Sequence, residues 1–218
     1  YGTTTNYGST ATASQSPVSG NTLTNVSAEI KGLTAGSTYH YRVVGINSLG
    51  TTYGSDMTFT TSTAYAIGDT YQGGIIFYLT GTYPNQHGLV CPPTDQSNGT
   101  SWDNGNYYTT GASDQAVGTG QANTTKIITK YGDGSYAAKI CDDLILNGYS
   151  DWYLPSKDEL GLMYTNLFKN GLGGFTHEAY WSSSEYNNAY AFLQSFRTGL
   201  FYSNPKNYTP GVRAARTF

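Results

Sequence analysis

The hydrophobic pattern changes character along the chain. Through residues 1–62, short runs of Thr, Val and Tyr alternate with Gly, Asn and Ser, which reads as strands joined by turns. The clearest run is Thr38-Tyr39-His40-Tyr41-Arg42-Val43-Val44. Period two puts Tyr39, Tyr41 and Val43 on one face and His40 and Arg42 on the other, predicting a half-buried antiparallel strand. A turn at Asn47-Ser48-Leu49-Gly50 and a strand over residues 55–61 follow. Residues 63–65 read as a linker. From residue 66, Gly73-Gly74-Ile75-Ile76-Phe77-Tyr78-Leu79 and His87-Gly88-Leu89-Val90-Cys91 predict two short apolar strands, the second running into a Pro92-Pro93-Thr94-Asp95 turn. Residues 95–120 are rich in Gly, Asn, Thr and Ser without periodicity, and predict a long surface loop region.

Two helices are predicted beyond it. Ala137, Ala138, Cys141, Leu144 and Ile145 recur at three- and four-residue spacing, with Gly148 placed as a left-handed cap. The second is announced by Pro155 and the capping box Ser156-Lys157-Asp158-Glu159, in which Ser156 and Glu159 satisfy free amides of the first turn. Leu160, Met163, Tyr164 and Leu167 make its buried stripe, and Asn170-Gly171 ends it. Asp158 and Glu159 are thereby first-turn carboxylates favoured by the helix dipole, in preference to catalytic acids.

Composition narrows the classes of function. At 218 residues and 38% hydrophobic, the chain can bury two ordinary cores. Charged residues make up only 11% against about a quarter in typical proteins, while Tyr reaches 21 and Gly 27. Hydroxyls and amides must carry the solubility, which suits an extracellular protein displayed on a cell or virion surface. The net charge of −3, without any Lys/Arg run, removes nucleic acid and anionic membrane as partners. No stretch approaches a membrane span, and Tyr1 reads as a cut inside a longer protein. Cys91 and Cys141 lie fifty positions apart with no CxxC or His at ligand spacing, so they form either one disulfide or two buried thiols. No metal and no cofactor are expected.

The segment Leu33-Thr34-Ala35-Gly36-Ser37-Thr38-Tyr39 resembles the Leu-x-x-Gly-x-x-Tyr corner of fibronectin type III domains. The likeness covers only the C-terminal part of that module, with Tyr1-Gly2 at the end of its third strand. It implies a partial all-β, immunoglobulin-like sandwich over residues 1–62 that acts as a spacer.

Three further motifs occur in order: Asp151-Trp152-Tyr153-Leu154-Pro155-Ser156-Lys157-Asp158-Glu159-Leu160, then Tyr180-Trp181-Ser182-Ser183-Ser184-Glu185, then Val212-Arg213-Ala214-Ala215-Arg216-Thr217-Phe218. With Gly73-Gly74 and Gly88-Leu89-Val90, residues 66–218 resemble the DUF1566 family, also called the C-terminal domain of Legionella collagen-like protein. The resemblance implies an α+β C-type-lectin-like domain with two helices, small antiparallel sheets and long loops, and allows a trimer. Residues 181–218 further resemble the variable region of proteins diversified by retroelements. There, mutable Asn codons become codons ending in a pyrimidine, which cannot encode Lys, Glu, Gln, Met or Trp. Across residues 189–211 only Gln194 and Lys206 break that rule, and these two read as fixed positions, together with Ala191, Phe196 and Gly199.

The chemistry of residues 186–211 is that of an adaptable binding surface. Tyr186, Tyr190, Phe192, Phe201, Tyr202 and Tyr208 offer stiff amphipathic area, and Ser195, Arg197, Thr198 and Ser203 offer hydrogen bonds. Ala189, Leu193, Leu200, Pro205 and Pro210 complete the expected face, with Leu193, Leu200 and Phe201 among the residues expected to be exposed. Trp181, Phe196 and Phe218 are expected in the core. The partner is a protein or glycan on a cell surface. Arg213 and Arg216 are expected to pair with carboxylates such as Glu185 or Asp151.

Two other classes of function compete with this one. A calcium-dependent lectin needs converging oxygens of the Glu-Pro-Asn or Trp-Asn-Asp kind, and Ser101-Trp102-Asp103-Asn104-Gly105 only partly matches. Calcium-independent binding of a polysaccharide or glycosaminoglycan is the runner-up. An enzyme like the formylglycine-generating enzymes would need an activated nucleophile or an acid/base pair, for which His177-Glu178 is the one candidate dyad.

Overall fold

Tyr39 is the only large hydrophobic side chain among the first 64 residues to be buried, and the local fold is built around it. The computed structural model describes residues 1–218, which divide into two units, Tyr1–Ala64 and Tyr65–Phe218. In the first, strand β1 (Thr38–Tyr41) pairs antiparallel with β4 (Met57–Thr60), setting Tyr39 opposite Phe59 with their rings stacked at 5.8 Å. The Tyr39 hydroxyl reaches back to accept the Thr34 amide at 3.1 Å, which closes the corner. Strands β2 (Val44–Asn47) and β3 (Gly50–Tyr53) form a separate hairpin across Ser48 and Leu49. The predicted run over residues 38–44 is thus broken after Tyr41, and Val43 is exposed instead of sharing the Tyr39 face. The chain leaves β4 there to make its own hairpin, and no second layer covers it.

The second unit is mixed α and β. Strands β5 (Thr70–Tyr71), β6 (Gly74–Thr80), β7 (His87–Cys91) and β11 (Arg216–Thr217) make one antiparallel sheet in the order β11-β7-β6-β5. Strands β8 (Ala179–Glu185), β9 (Tyr190–Ser195) and β10 (Phe201–Pro205) make a three-stranded meander. Successive strand residues face opposite ways, so adjacent apolar residues serve different cores. Ile76 and Trp181 enter a cluster with Trp102, Ile127 and Trp152, whereas Phe77 and Tyr180 enter one with Leu160, Met163 and Phe196.

Helix α3 (Lys157–Asn166) begins as the sequence predicts. Ser156 accepts the Glu159 amide, and Glu159 in turn accepts the Ser156 amide at 2.8 Å. Glu159 does more than cap, because its carboxylate is fully buried and also accepts the Gly118 amide at 2.8 Å. Burial raises its proton affinity above the ordinary carboxylate range, against the pull of those amides. Gly120 packs so closely that a Cβ there would lie 2.3 Å from the carboxylate.

Three expectations need correction. Helix α1 (Gly120–Tyr131) is a third helix, following directly on the loop expected over residues 95–120. Its buried stripe contains Asn123 and Thr124, whose side chains bond Asp114 O and the Leu154 amide, so hydrophobicity does not reveal it. Helix α2 (Ala137–Asp142) stops short of Leu144 and Ile145. Ile145 is 74% exposed, and Gly148 serves a later turn between Leu146 and Tyr149. The stretch over residues 95–120 is not all surface, since Trp102 and Ala112 are fully buried and Trp102 Nε1 donates to Ser182 O at 2.8 Å. Phe218 is half-buried, beside Tyr71 and Tyr65.

Candidate ligand-binding face

Strands β9 and β10 form the outer part of the meander, with Phe201 opposite Gln194, Tyr202 opposite Leu193, Ser203 opposite Phe192 and Pro205 opposite Tyr190. Along β9 the alternation is regular at first: Ala191 and Leu193 point inward, Tyr190 and Phe192 outward. The β9–β10 turn holds because Gly199 adopts a φ of 79°. Gln194 Nε2 bonds Gly199 O at 3.1 Å, and a Cβ on Gly199 would press to 2.7 Å from the Tyr164 hydroxyl. Phe196 is buried among Tyr164, Phe168, Phe175 and Tyr180.

Of the residues assigned to the face, Tyr186, Tyr190, Arg197, Thr198, Leu200, Tyr202, Ser203, Pro205 and Tyr208 are exposed. Ala189, Phe192, Ser195 and Phe201 are half-buried. Leu193 and Pro210 are buried and leave the face. Leu193 faces inward opposite Trp181 on β8, and Pro210 sits where its carbonyl receives the Thr100 amide at 3.3 Å.

The exposed residues fall into separate groups. Lys157, at the start of α3, places its ammonium 4.9 Å from the Phe192 ring and 5.2 Å from the Phe201 ring. Tyr186 meets Phe192 edge-on. At the Tyr190–Pro205 end, a shallow open cleft of about 450 Å³ is lined by Tyr107, Asn188, Ala189, Tyr190, Pro205 and Asn207. Arg197, Thr198 and Leu200 sit at the opposite, hairpin end, about 17 Å along the strand at the usual rise per residue. Tyr107, Tyr108 and Lys157 lie outside the stretch singled out from sequence. Tyr107-Tyr108 in a charge-poor loop was the available signal for the first two.

A buried ion pair ties this face to the scaffold. Lys206, immediately after β10, is fully buried, with its ammonium 2.5 Å from Glu185 Oε1 and 2.9 Å from Tyr108 O, over the Trp102 ring. Burial lowers its proton affinity, against the pull of Glu185. Glu185 also accepts the Thr110 and Gly111 amides at 3.0 Å. One pair thus fixes the end of β8, the end of β10 and the loop carrying Tyr107. Glu185 is therefore not a partner of either arginine. Arg213 pairs with Asp95, whose side chain is 4% exposed and also receives the Thr176 and Tyr180 hydroxyls, while Arg216 pairs with Asp151 as expected.

His177 turns toward Asp95, 3.7 Å away, while Glu178 is exposed. No three His, Cys, Asp or Glu side chains gather around one point, and no helix is long and apolar enough to cross a membrane. Cys91 and Cys141 are both buried and unbonded to each other, as two buried thiols would be. No protein-family model and no curated protein matches the chain.

Proposed function

We propose that the chain is a non-enzymatic ligand-binding protein of the extracellular or virion surface. In this reading residues 66–218 are a C-type-lectin-like domain of the DUF1566 kind with a diversified face, and residues 1–62 are a fibronectin-like spacer. The observation that carries the reading is the run of exposed Tyr186, Tyr190, Leu200, Tyr202 and Tyr208 on a stretch, residues 186–211, that contains no Asp or Glu. Such exposed apolar and aromatic area in a charge-poor surface marks an interaction site. Diversification is supported by where the positions expected to be fixed fall. Ala191, Gln194, Phe196 and Lys206 are all buried, and Gly199 is held at positive φ. The fibronectin-like reading of the corner is supported by the Tyr39 hydroxyl, which accepts the Thr34 amide.

The test is adsorption of the labelled chain to a panel of intact bacterial cells, read by flow cytometry. A Tyr190→Ser/Leu200→Ser/Tyr202→Ser variant that melts like the parent is expected to lose at least about tenfold in binding, on the scale of several lost contact residues. Equal binding by the variant refutes the face. For diversification, copies of this locus in sibling genomes should differ at the exposed positions and spare the five named above. Differences spread evenly over the chain refute it.

A further inference from the structure

We propose that the cleft between Tyr107 and the Tyr190–Pro205 edge is a subsite for one ring of an uncharged saccharide, bound without a metal ion. The inference rests on the binding-face reading and specifies the ligand class at one end of it.

The lining contains no ionisable acid or base active near neutrality: two tyrosines, two asparagines, an alanine and a proline. The exposed cation of the hairpin, Arg197, lies at the other end of β9. A carboxylated or sulfated sugar would give up hydration there without gaining a counter-charge. An uncharged one loses nothing of that kind.

The groups present match a sugar ring on both of its chemistries. Tyr107 and Tyr190, 55% and 40% exposed, offer ring faces whose negative quadrupole attracts the C–H edges of a pyranose. Asn188 and Asn207 each carry two donors and an acceptor, the combination that satisfies hydroxyls, which both donate and accept. None of these four side chains is engaged in internal hydrogen bonding. The neighbouring Asn187, by contrast, uses its Oδ1 on the Ala189 and Tyr190 amides.

The walls are held in place before any ligand arrives. Lys206 N donates to Ala189 O at 2.9 Å, and Tyr208 N donates to Pro205 O at 2.9 Å. Lys206 Nζ holds Tyr108 O and with it the loop of Tyr107. Little ordering is then left for binding to oppose. The volume falls within the range of small-ligand sites. The somewhat larger cleft along Pro92–Gln96 and Ile140–Leu146 lacks this chemistry, with no aromatic wall and with Asp95 already engaged by Arg213.

The test is an NMR titration of the full chain with the methyl glycosides of glucose, galactose, mannose and N-acetylglucosamine. N-acetylneuraminic acid and glucose 6-sulfate serve as anionic arms, all with a chelator present. At least one neutral glycoside should shift Tyr107, Asn188, Tyr190 and Asn207 saturably. Tyr107→Ala and Asn207→Ala, both at exposed positions, should each weaken it at least about fivefold, the effect of losing one stacking or hydrogen-bonding group. Ile145→Ser, in the other cleft, should not. The proposal is overturned if no neutral glycoside shifts these residues, if only the anionic sugars do, or if both cleft variants bind like the parent. If cell adsorption needs Tyr190, Leu200 and Tyr202 but survives periodate oxidation of the cells, and no glycoside binds, the face stands and the saccharide subsite falls. If adsorption ignores those three residues, the face itself falls.

Discussion

Replacing Lys206 with Met should damage this protein more than any change at its exposed face. Met keeps an unbranched side chain of similar length, so the perturbation is the loss of the ammonium and not of volume. What remains is Glu185, 4% exposed, without the cation that lay beside it over the Trp102 and Tyr131 rings. Removing one partner of a buried pair costs about 3–5 kcal/mol, because the other charge stays desolvated. The two backbone amides on Glu185 offset part of this and favour the lower half of the range. For a unit of about 150 residues, each kcal/mol moves the melting temperature by about 2–4 °C, giving a fall of about 6–20 °C. Calorimetry of the parent and Lys206→Met would read it, with Lys169→Met as a surface control, expected within about 0.5 kcal/mol. A loss below about 1 kcal/mol for Lys206→Met would refute the claim that this pair anchors the face.

The opposite truncation, Glu185→Gln, leaves a buried ammonium. Lys206 already binds its proton less tightly than the ordinary value of 10.5 implies, because of burial. A base depressed in the folded state holds fewer protons than in the unfolded chain, so its contribution to stability rises with pH across the window below 10.5. The deficit of Glu185→Gln should therefore be largest near neutrality and shrink towards about pH 10, as read by urea unfolding. A deficit independent of pH would contradict it. In the same assay Leu193→Ala should cost about 2–5 kcal/mol as a core truncation, and Leu200→Ser less than about 0.5 kcal/mol. Comparable losses would mean that the inward and outward assignments are wrong. Finally, burial pushes the Cys91 thiol up to about 11 and raises Cys141 as well. Neither should react with a thiol reagent in the folded chain, and two thiols should appear in denaturant without reductant. Fewer than two would reveal a disulfide.

What could be read from the sequence follows how local the determining chemistry is. The α3 capping box is complete within four residues, and the corner at Tyr39 within six, so both are visible in one dimension. The burial of Trp181 and Phe196 follows from size, but parity does not assign β9: Tyr190, Phe192, Gln194 and Phe196 share one parity, yet the first two face outward and the last two are buried, and Leu193, expected on the face, is buried as well. Helix α1 escaped because Asn123 and Thr124 occupy its buried face. They are compatible with the interior only through Asp114 and Leu154, partners that the chain supplies 9 and 30 residues away. Trp102 looked like part of a polar loop for the same reason. The pairing of Lys206 with Glu185 and of Arg213 with Asp95 spans 21 and 118 residues, and no spacing rule assigns partners at that range. By codon, Lys206 stands apart from its neighbours in residues 189–211; in the structure it stands apart as the buried partner of Glu185 beneath the face.

Under the proposed diversification, two adjacent strands would have to be conservative and permissive at once. The inward residues Ala191, Leu193, Gln194, Phe196 and Lys206 supply the burial and bonding that hold β9, β10 and the hairpin. The outward residues Tyr190, Leu200, Tyr202 and Ser203 contribute little to folding, since surface substitutions away from such features cost about 0.5 kcal/mol or less. On the proposed reading, ligand chemistry and stability rest on different residues of the same strands; alternation provides this from Tyr190 to Leu193, while the adjacent buried pair Leu193–Gln194 and the adjacent exposed pair Tyr202–Ser203 depart from it. It follows that Leu193 and Pro210, although acceptable by codon, cannot vary freely. A functional relative should hold apolar residues at both while Tyr190 and Tyr202 change.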